Sequence, residues 1–270
     1  MVASLLAANG KTKLTNVPIV GDILTLKAAM EKLGAKVHLS EGRASIDACS
    51  LDNHVVPLDE LKKMRASVLL TGPLLAKVGE VIIAEPGGCV IGDRPIDLHL
   101  MGFKALGAKV ERVNEEFLKI KANRLVGNRI SLYFPSVGAT ENIMMAACLS
   151  EGETLIENAS REPEIVDLAN FLVCMGAKVE GAGTSIIKIE GVKDLDATER
   201  KIIPDRIEAG TYAIACAITK GEVQIKDIIP GQLSKVIEAL EKAGVVINTD
   251  LDHNAITVMA TEKNNSVDIT

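Results

Sequence analysis

Apolar and polar positions along the chain form two kinds of helical pattern, and the pair repeats. In the first kind, apolar residues occupy most of the circumference, as in Asn142-Ile143-Met144-Met145-Ala146-Ala147-Cys148. A helix without a clear polar face is buried. Such runs span Val2 to Ala8, Arg65 to Val78, Ala139 to Ser150 and Ala209 to Thr219. Each leads to a glycine (Gly10, Gly79, Gly152, Gly221) and then to a β-rich stretch such as Glu80-Val81-Ile82-Ile83 or Glu222-Val223-Gln224-Ile225. The second kind is amphipathic and spans Leu24 to Leu33, Ile96 to Leu106, Glu164 to Met175 and Leu233 to Ala243. Each of these ends at a glycine of the type that caps helix C-termini, and Lys-Val or an equivalent pair then opens a strand.

The helix ends are near-copies: Leu33-Gly34-Ala35-Lys36-Val37, Leu106-Gly107-Ala108-Lys109-Val110 and Met175-Gly176-Ala177-Lys178-Val179, with a weaker fourth at Ala243-Gly244-Val245-Val246-Ile247. The predicted unit is buried helix, glycine, strand, loop, amphipathic helix, glycine, strand, strand. It is roughly 70 residues long, beyond the common solenoid periods. Buried helices with strands outside them predict an α/β fold of pseudo-symmetric repeats.

The repeat also shows where chemistry concentrates. The loop between first strand and amphipathic helix is Asn16-Val17-Pro18 in copy one, Asn158-Ala159-Ser160-Arg161-Glu162 in copy three and Ile229-Pro230-Gly231-Gln232 in copy four. In copy two it is Pro86-Gly87-Gly88-Cys89-Val90-Ile91-Gly92-Asp93-Arg94-Pro95, running into Ile96-Asp97-Leu98-His99. This copy alone joins a thiol and an arginine in a glycine-rich turn before a helix, a setting that favours anions and lowers a thiol pKa. A small buried Cys in a tight turn is the alternative.

Composition narrows the classes. With 47% apolar and 2% aromatic residues and no Trp, the core is built from Ala, Val, Ile, Leu and Met. A net charge of −6, dispersed along the chain, argues against general nucleic-acid binding, which needs a basic face with stacking aromatics. No apolar run is long enough to span a bilayer, and Met1 to Ala8 reads as a helix fragment, since it lacks a positive leader region. The five cysteines include no CxxC pair, so zinc spacing is absent. Cys49, Cys148, Cys174 and Cys216 are expected to be reduced core residues, as in a cytoplasmic protein.

Five motifs, in order and at consistent spacing, carry a resemblance: Met64-Arg65-Ala66-Ser67, Pro86 to His99, Pro135-Ser136-Val137-Gly138-Ala139-Thr140, Arg161-Glu162-Pro163-Glu164-Ile165-Val166-Asp167, and Pro204-Asp205-Arg206-Ile207-Glu208. The chain resembles the UDP-N-acetylglucosamine enolpyruvyl transferases of bacterial peptidoglycan synthesis, and the resemblance covers nearly its whole length. It implies the inside-out α/β barrel of enolpyruvyl transferases: residues 1–203 as one nearly complete domain of three units, and 204–270 as one unit of a second. The implied substrates are phosphoenolpyruvate and UDP-N-acetylglucosamine, with no cofactor and no metal, in a cytoplasmic enzyme of cell-wall synthesis. Members have a Lys-Asn pair just before the point where this chain starts and two more repeats beyond where it stops. It therefore reads as an internal fragment that is not expected to complete turnover. A nucleotide-sugar-binding piece without turnover, and a repeat protein with no small-molecule site, are the competing readings.

By resemblance, Cys89 is the proton donor and the residue that fosfomycin alkylates. Arg94 is expected on phosphate and nucleotide, its rival role being a helix-entry ion pair with Asp93 or Asp97. Arg65 opposes the dipole of the helix it opens, which suggests a ligand or a buried ion pair. Pro95, Ile96, Asp97 and Leu98 are expected to line the nucleotide-sugar site. Ser136, Val137 and Gly138 offer N–H groups to a diphosphate, or Ser136 simply caps the helix. Phe134 stands where some relatives carry a lysine. Glu162, Glu164, Arg206 and Glu208 read as structural, and His99 as a helix-packing residue.

Overall fold

The structure is a computed structural model that describes residues 1–51, 53–56, 65–84, 96–261 and 265–268, the side chain of Arg65 excepted. It divides into two compact units, Met1–Ile202 and Ile203–Thr270.

The first unit contains three copies of one βαββ element. Copy one has β1 (Thr12–Thr15), α1 (Gly21–Lys32), β2 (Lys36–Ser40) and β3 (Arg43–Asp47). An inner helix, α2 (Thr71–Val78), then leads into copy two: β4 (Glu80–Ala84), α3 (Asp97–Ala105), β5 (Lys109–Arg112) and β6 (Phe117–Lys121). The strand β7 (Arg129–Ser131) and inner helix α4 (Val137–Ala147) precede copy three: β8 (Glu153–Glu157), α5 (Pro163–Cys174), β9 (Lys178–Glu180) and β10 (Ile186–Glu190). β11 (Glu199–Lys201) ends the unit.

In every copy the last strand of the hairpin lies at the centre of the sheet, antiparallel to both the first strand and its hairpin partner. The registers are consistent, with Leu14 opposite Ala44, Ile83 opposite Leu118 and Ile156 opposite Ile187. The chain before each inner helix then adds a parallel edge. β7 pairs with β8, Val55 bridges Ile82 in β4, and β11 returns to β1. The last pairing closes three copies into a ring, because a parallel edge from copy three completes the sheet of copy one.

One face of each sheet is buried, as shown by the alternation along β10, where Ile187 and Ile189 are buried between exposed neighbours. That face covers the inner helices. In α4 the residues Ile143, Met144, Ala146 and Ala147 have no exposed surface. The inner segments differ in winding: copy one has a 3-10 helix at Val2–Leu6, and α2 is preceded by a 3-10 helix at Arg65–Leu70. Pro73 falls in the first turn of α2, where the N–H it lacks would have no intrahelical partner. The four amphipathic-helix ends behave alike. Gly34, Gly107, Gly176 and Gly244 all have φ between 93° and 105°, a left-handed conformation that glycine adopts without strain.

The second unit holds inner helix α6 (Arg206–Thr219), β12 (Glu222–Ile225), α7 (Ser234–Lys242), β13 (Val246–Asp250) and β14 (Ala255–Met259), with strand order β12-β14-β13. This is the same element in a single copy. Asp205 caps α6 by accepting from the Ile207 and Glu208 N–H groups.

Two of the four thiols expected in the core lie elsewhere. Cys148 and Cys216 are buried, and burial pushes the Cys148 thiol up to about 12. Cys49 and Cys174 are exposed. Cys49 follows the end of β3 in a turn that Asp47 organises by accepting from its N–H, and Cys174 ends α5.

Candidate substrate site

The site forms where two helices begin side by side. Ser136 is the N-cap of α4, and its Oγ accepts from the Ala139 N–H at 3.4 Å. The capping role left open by the sequence is therefore present. It uses one N–H of the first turn and leaves those of Val137 and Gly138 at the head of a helix, where an anion is favoured.

Ile96 is the N-cap of α3, with Asp97 in its first turn. The side chains of Ile96 and Leu98 are buried, so only their backbone and the exposed Asp97 carboxylate can meet a ligand. Tyr133, on the chain between β7 and α4, donates its hydroxyl to Asp97 Oδ2. This bond ties the approach to α4 to the first turn of α3 and pushes the Tyr133 phenol up. Tyr133 and Phe134 are both exposed, two of only six aromatic residues in the chain.

Beneath the surface the two helix starts share one polar network. Asn142 of α4 is fully buried. Its Oδ1 accepts from the Gly72 N–H at 2.7 Å, and its Nδ2 donates to the Val68 carbonyl at 2.9 Å and lies 3.0 Å from His99 Nδ1. Asn142 thus binds α4 to the segment that Arg65 opens and, through His99, to α3. A methyl at Gly72 would lie 2.5 Å from the Asn142 carbonyl, so glycine permits this approach.

The structure therefore brings Ile96, Asp97 and Leu98 together with Ser136, Val137 and Gly138. It places the backbone of Arg65 at the head of a segment joined to the same network. Cys89, Arg94 and Pro95 lie outside the described residues, as does the Arg65 side chain. Among the described residues no cluster of three or more His, Cys, Asp or Glu is arranged to hold a metal ion.

The sequence reading passed over three residues here. Asn142 was legible as the one amide in an otherwise apolar run, since a buried amide needs partners. Glu141 was legible as an acid in the same run; burial, and then the charge of Glu164, push its carboxyl up to about 7. Tyr133 carried no signal beyond being aromatic in a chain with few aromatics.

Inner helices enclosed by outer sheets in βαββ copies define the enolpyruvyl transferase class of fold. The enolpyruvyl transferase NikO from Streptomyces tendae superposes with a TM-score of 0.84 at 20% identity, over 97% of this chain and 63% of that one. EPSP synthase from Acinetobacter baumannii gives a TM-score of 0.70 at 20% identity, over 96% of this chain and 62% of that one.

The chain belongs to the EPSP synthase (3-phosphoshikimate 1-carboxyvinyltransferase) family, whose model matches residues 1–270. It is 51% identical over 269 residues to UDP-N-acetylglucosamine 1-carboxyvinyltransferase 2 of Carboxydothermus hydrogenoformans, matching all of this chain and 64% of that protein. It is 47% identical over 262 residues to UDP-N-acetylglucosamine 1-carboxyvinyltransferase of Finegoldia magna, matching 97% of this chain and 62% of that protein. The chain thus spans less than two thirds of the length of these relatives.

Proposed function

We propose that this chain carries the nucleotide-sugar side and the reactive-cysteine loop of a UDP-N-acetylglucosamine enolpyruvyl transferase, a cytoplasmic enzyme of peptidoglycan synthesis. Residues 1–203 form its first repeat domain and 204–270 one unit of its second. The observation that carries the reading is the meeting of two helix N-termini, Ile96–Leu98 and Ser136–Gly138, in a chain whose relatives bear that name.

The two starts suit different parts of one ligand. The head of α4 presents N–H groups and favours a diphosphate, with Arg94 and Arg65 as its cationic partners. The head of α3 carries the Asp97 carboxylate, which accepts hydrogen bonds and repels phosphate, so it suits the hydroxyl and N–H groups of the nucleoside. In the reaction, Cys89 delivers a proton to C3 of phosphoenolpyruvate while the sugar 3-hydroxyl forms a bond to C2 and gives its own proton to a base. Loss of phosphate from C2 and of a proton from C3 then restores the alkene.

Titration of the isotope-labelled chain with UDP-N-acetylglucosamine tests the binding half. Saturable NMR shifts are expected at 96–98 and 136–138. Arg94→Ala should weaken binding by about 1–3 kcal/mol, as for a lost charge-assisted bond. No saturable shifts, or an unchanged affinity in Arg94→Ala, overturns the assignment.

A further inference from the structure

His99 lies in the first turn of α3 and is almost fully buried. Its ring is fixed at both edges. At one edge, Asn142 determines the tautomer. The Gly72 N–H occupies Asn142 Oδ1, so the amide cannot flip without opposing two donors. Both Nδ2 hydrogens then point outward, one to the Val68 carbonyl and one to His99 Nδ1. Nδ1 is therefore an acceptor, and the ring proton sits on Nε2.

At the other edge, the ring lies against the backbone of Gly138. A Cβ built on Gly138 would be 3.3 Å from His99 Cε1 and 3.5 Å from Nε2. Gly138 is the second residue of α4, in the turn whose N–H groups face outward. The imidazole thus fills the space between the α3 and α4 starts, and the absent side chain at Gly138 sets how closely they approach.

We propose that His99 is a positioning residue for the nucleotide-sugar ligand: locked by Asn142 as the Nε2–H tautomer and seated under Gly138, it fixes the spacing between Ile96–Leu98 and Ser136–Gly138. A ligand that contacts both segments is sensitive to that spacing. The ligand in this statement rests on the function proposed above, whereas the tautomer and the seating do not.

Two measurements test it. In the unsubstituted chain, 15N imidazole spectra should show His99 Nδ1 bare and Nε2 protonated; the opposite tautomer overturns the Asn142 lock. In a double-mutant cycle read by UDP-N-acetylglucosamine titration, Gly138→Ala should weaken binding about tenfold, because its methyl presses on the ring. In the His99→Ala background the same change should matter about twofold or less, since the ring is gone. A purely structural His99 would lower the melting temperature but leave the two affinity effects additive, and additivity overturns the proposal. If the unsubstituted chain gives no saturable shifts, the nucleotide-sugar reading fails; saturable shifts with additive variants sink only the role of His99. Should His99→Ala fail to fold, the tautomer spectrum and the cycle built on His99→Asn decide.

Discussion

Helices α4 and α6 occupy the same place in two copies of one element, and they are solvated differently. Both follow the same pattern of apolar residues around most of the circumference. In α4 that surface is buried against α2, α3 and the enclosing sheets of its unit. In α6 the residues Ala209, Ala213, Cys216 and Ala217 pack on their own sheet, while Ile207, Tyr212, Ile214 and Ile218 are exposed. The outer helices follow suit: α5 buries Ile165, Ala169, Phe171 and Leu172, and α7 has no buried residue. The difference lies in the number of copies per unit. Three copies give each inner helix neighbours on several sides, whereas the one copy within residues 203–270 gives it one sheet and the packing of Leu233 and Val236. An all-round apolar pattern therefore reports how many partners a helix requires, and the unit decides how many it has.

The largest test of this contrast is a matched pair of truncations. Ile143 in α4 has no exposed surface and packs so closely on Gly102 that a methyl there would lie 2.3 Å from its Cδ1. Ile143→Ala should cost about 2–5 kcal/mol, through lost transfer energy and a cavity that close packing keeps open. Ile218 in α6 is 71% exposed. Ile218→Ala should stay within about 0.5 kcal/mol. Denaturant unfolding of both variants measures this. Equal losses would show that the Ile218 face is covered in solution and would break the comparison.

A second test uses the acid of the buried helix. The Glu141 carboxyl is pushed up to about 7 from an ordinary 4.5. A group whose pKa is raised by folding binds its proton more tightly in the fold. Its contribution is complete below about 4.5 and is lost as pH rises through about 7. Stability of the first unit should thus fall across that window, by an amount on the order of 1–3 kcal/mol. Glu141→Gln keeps the shape without the charge and should flatten that part of the profile. A pH profile that Glu141→Gln leaves unchanged would show the carboxylate to be solvated, and α4 to be less enclosed than its neighbours indicate.

The repeat itself was legible because backbone needs leave marks in sequence. Gly34, Gly107, Gly176 and Gly244 mark left-handed helix ends, and all four conform. The α/β class followed from the alternation of the two helix patterns, and the candidate site from motifs such as Pro135 to Thr140. Three things were not legible. The closure of the first unit by β11 on β1 joins Glu199–Lys201 to Lys13–Thr15. Local periodicity carries no trace of so distant a pairing. The 3-10 winding at Val2–Leu6 and Arg65–Leu70 has the same apolar content as an α-helix and differs only in its hydrogen bonds. The exposure of Cys49 and Cys174 escaped because an apolar neighbourhood in sequence does not determine which way one residue of a turn or a helix end faces.

The smallest expected effect concerns the left-handed residue between each inner helix and the strand that follows it. Gly79 and Gly152 stand at their turns with φ of 80° and 82°. In the fourth copy Gly221 likewise stands directly before its strand but is not left-handed, and Lys220, one residue earlier, takes that conformation with φ 57° and ψ 41°. A lysine there bears the Cβ–carbonyl crowding that glycine escapes, a penalty of about 1–2 kcal/mol. Lys220→Gly removes that penalty but also loosens the unfolded chain, so the net gain should be about 0.5–1 kcal/mol. The converse change, Gly152→Ala, meets no neighbouring atom within 4 Å, so its loss of about 1 kcal/mol would be backbone strain alone. Amide hydrogen exchange of α6 and β12 reads the first effect in its own unit, and exchange of α4 and β8 reads the second. Slower exchange in Lys220→Gly and faster exchange in Gly152→Ala would mean that a left-handed residue before the strand favours glycine in the third and fourth copies alike. If Lys220→Gly exchanges faster, the Lys220 side chain contributes more to this turn than its left-handed backbone costs, and the fourth copy departs from the third beyond Thr219.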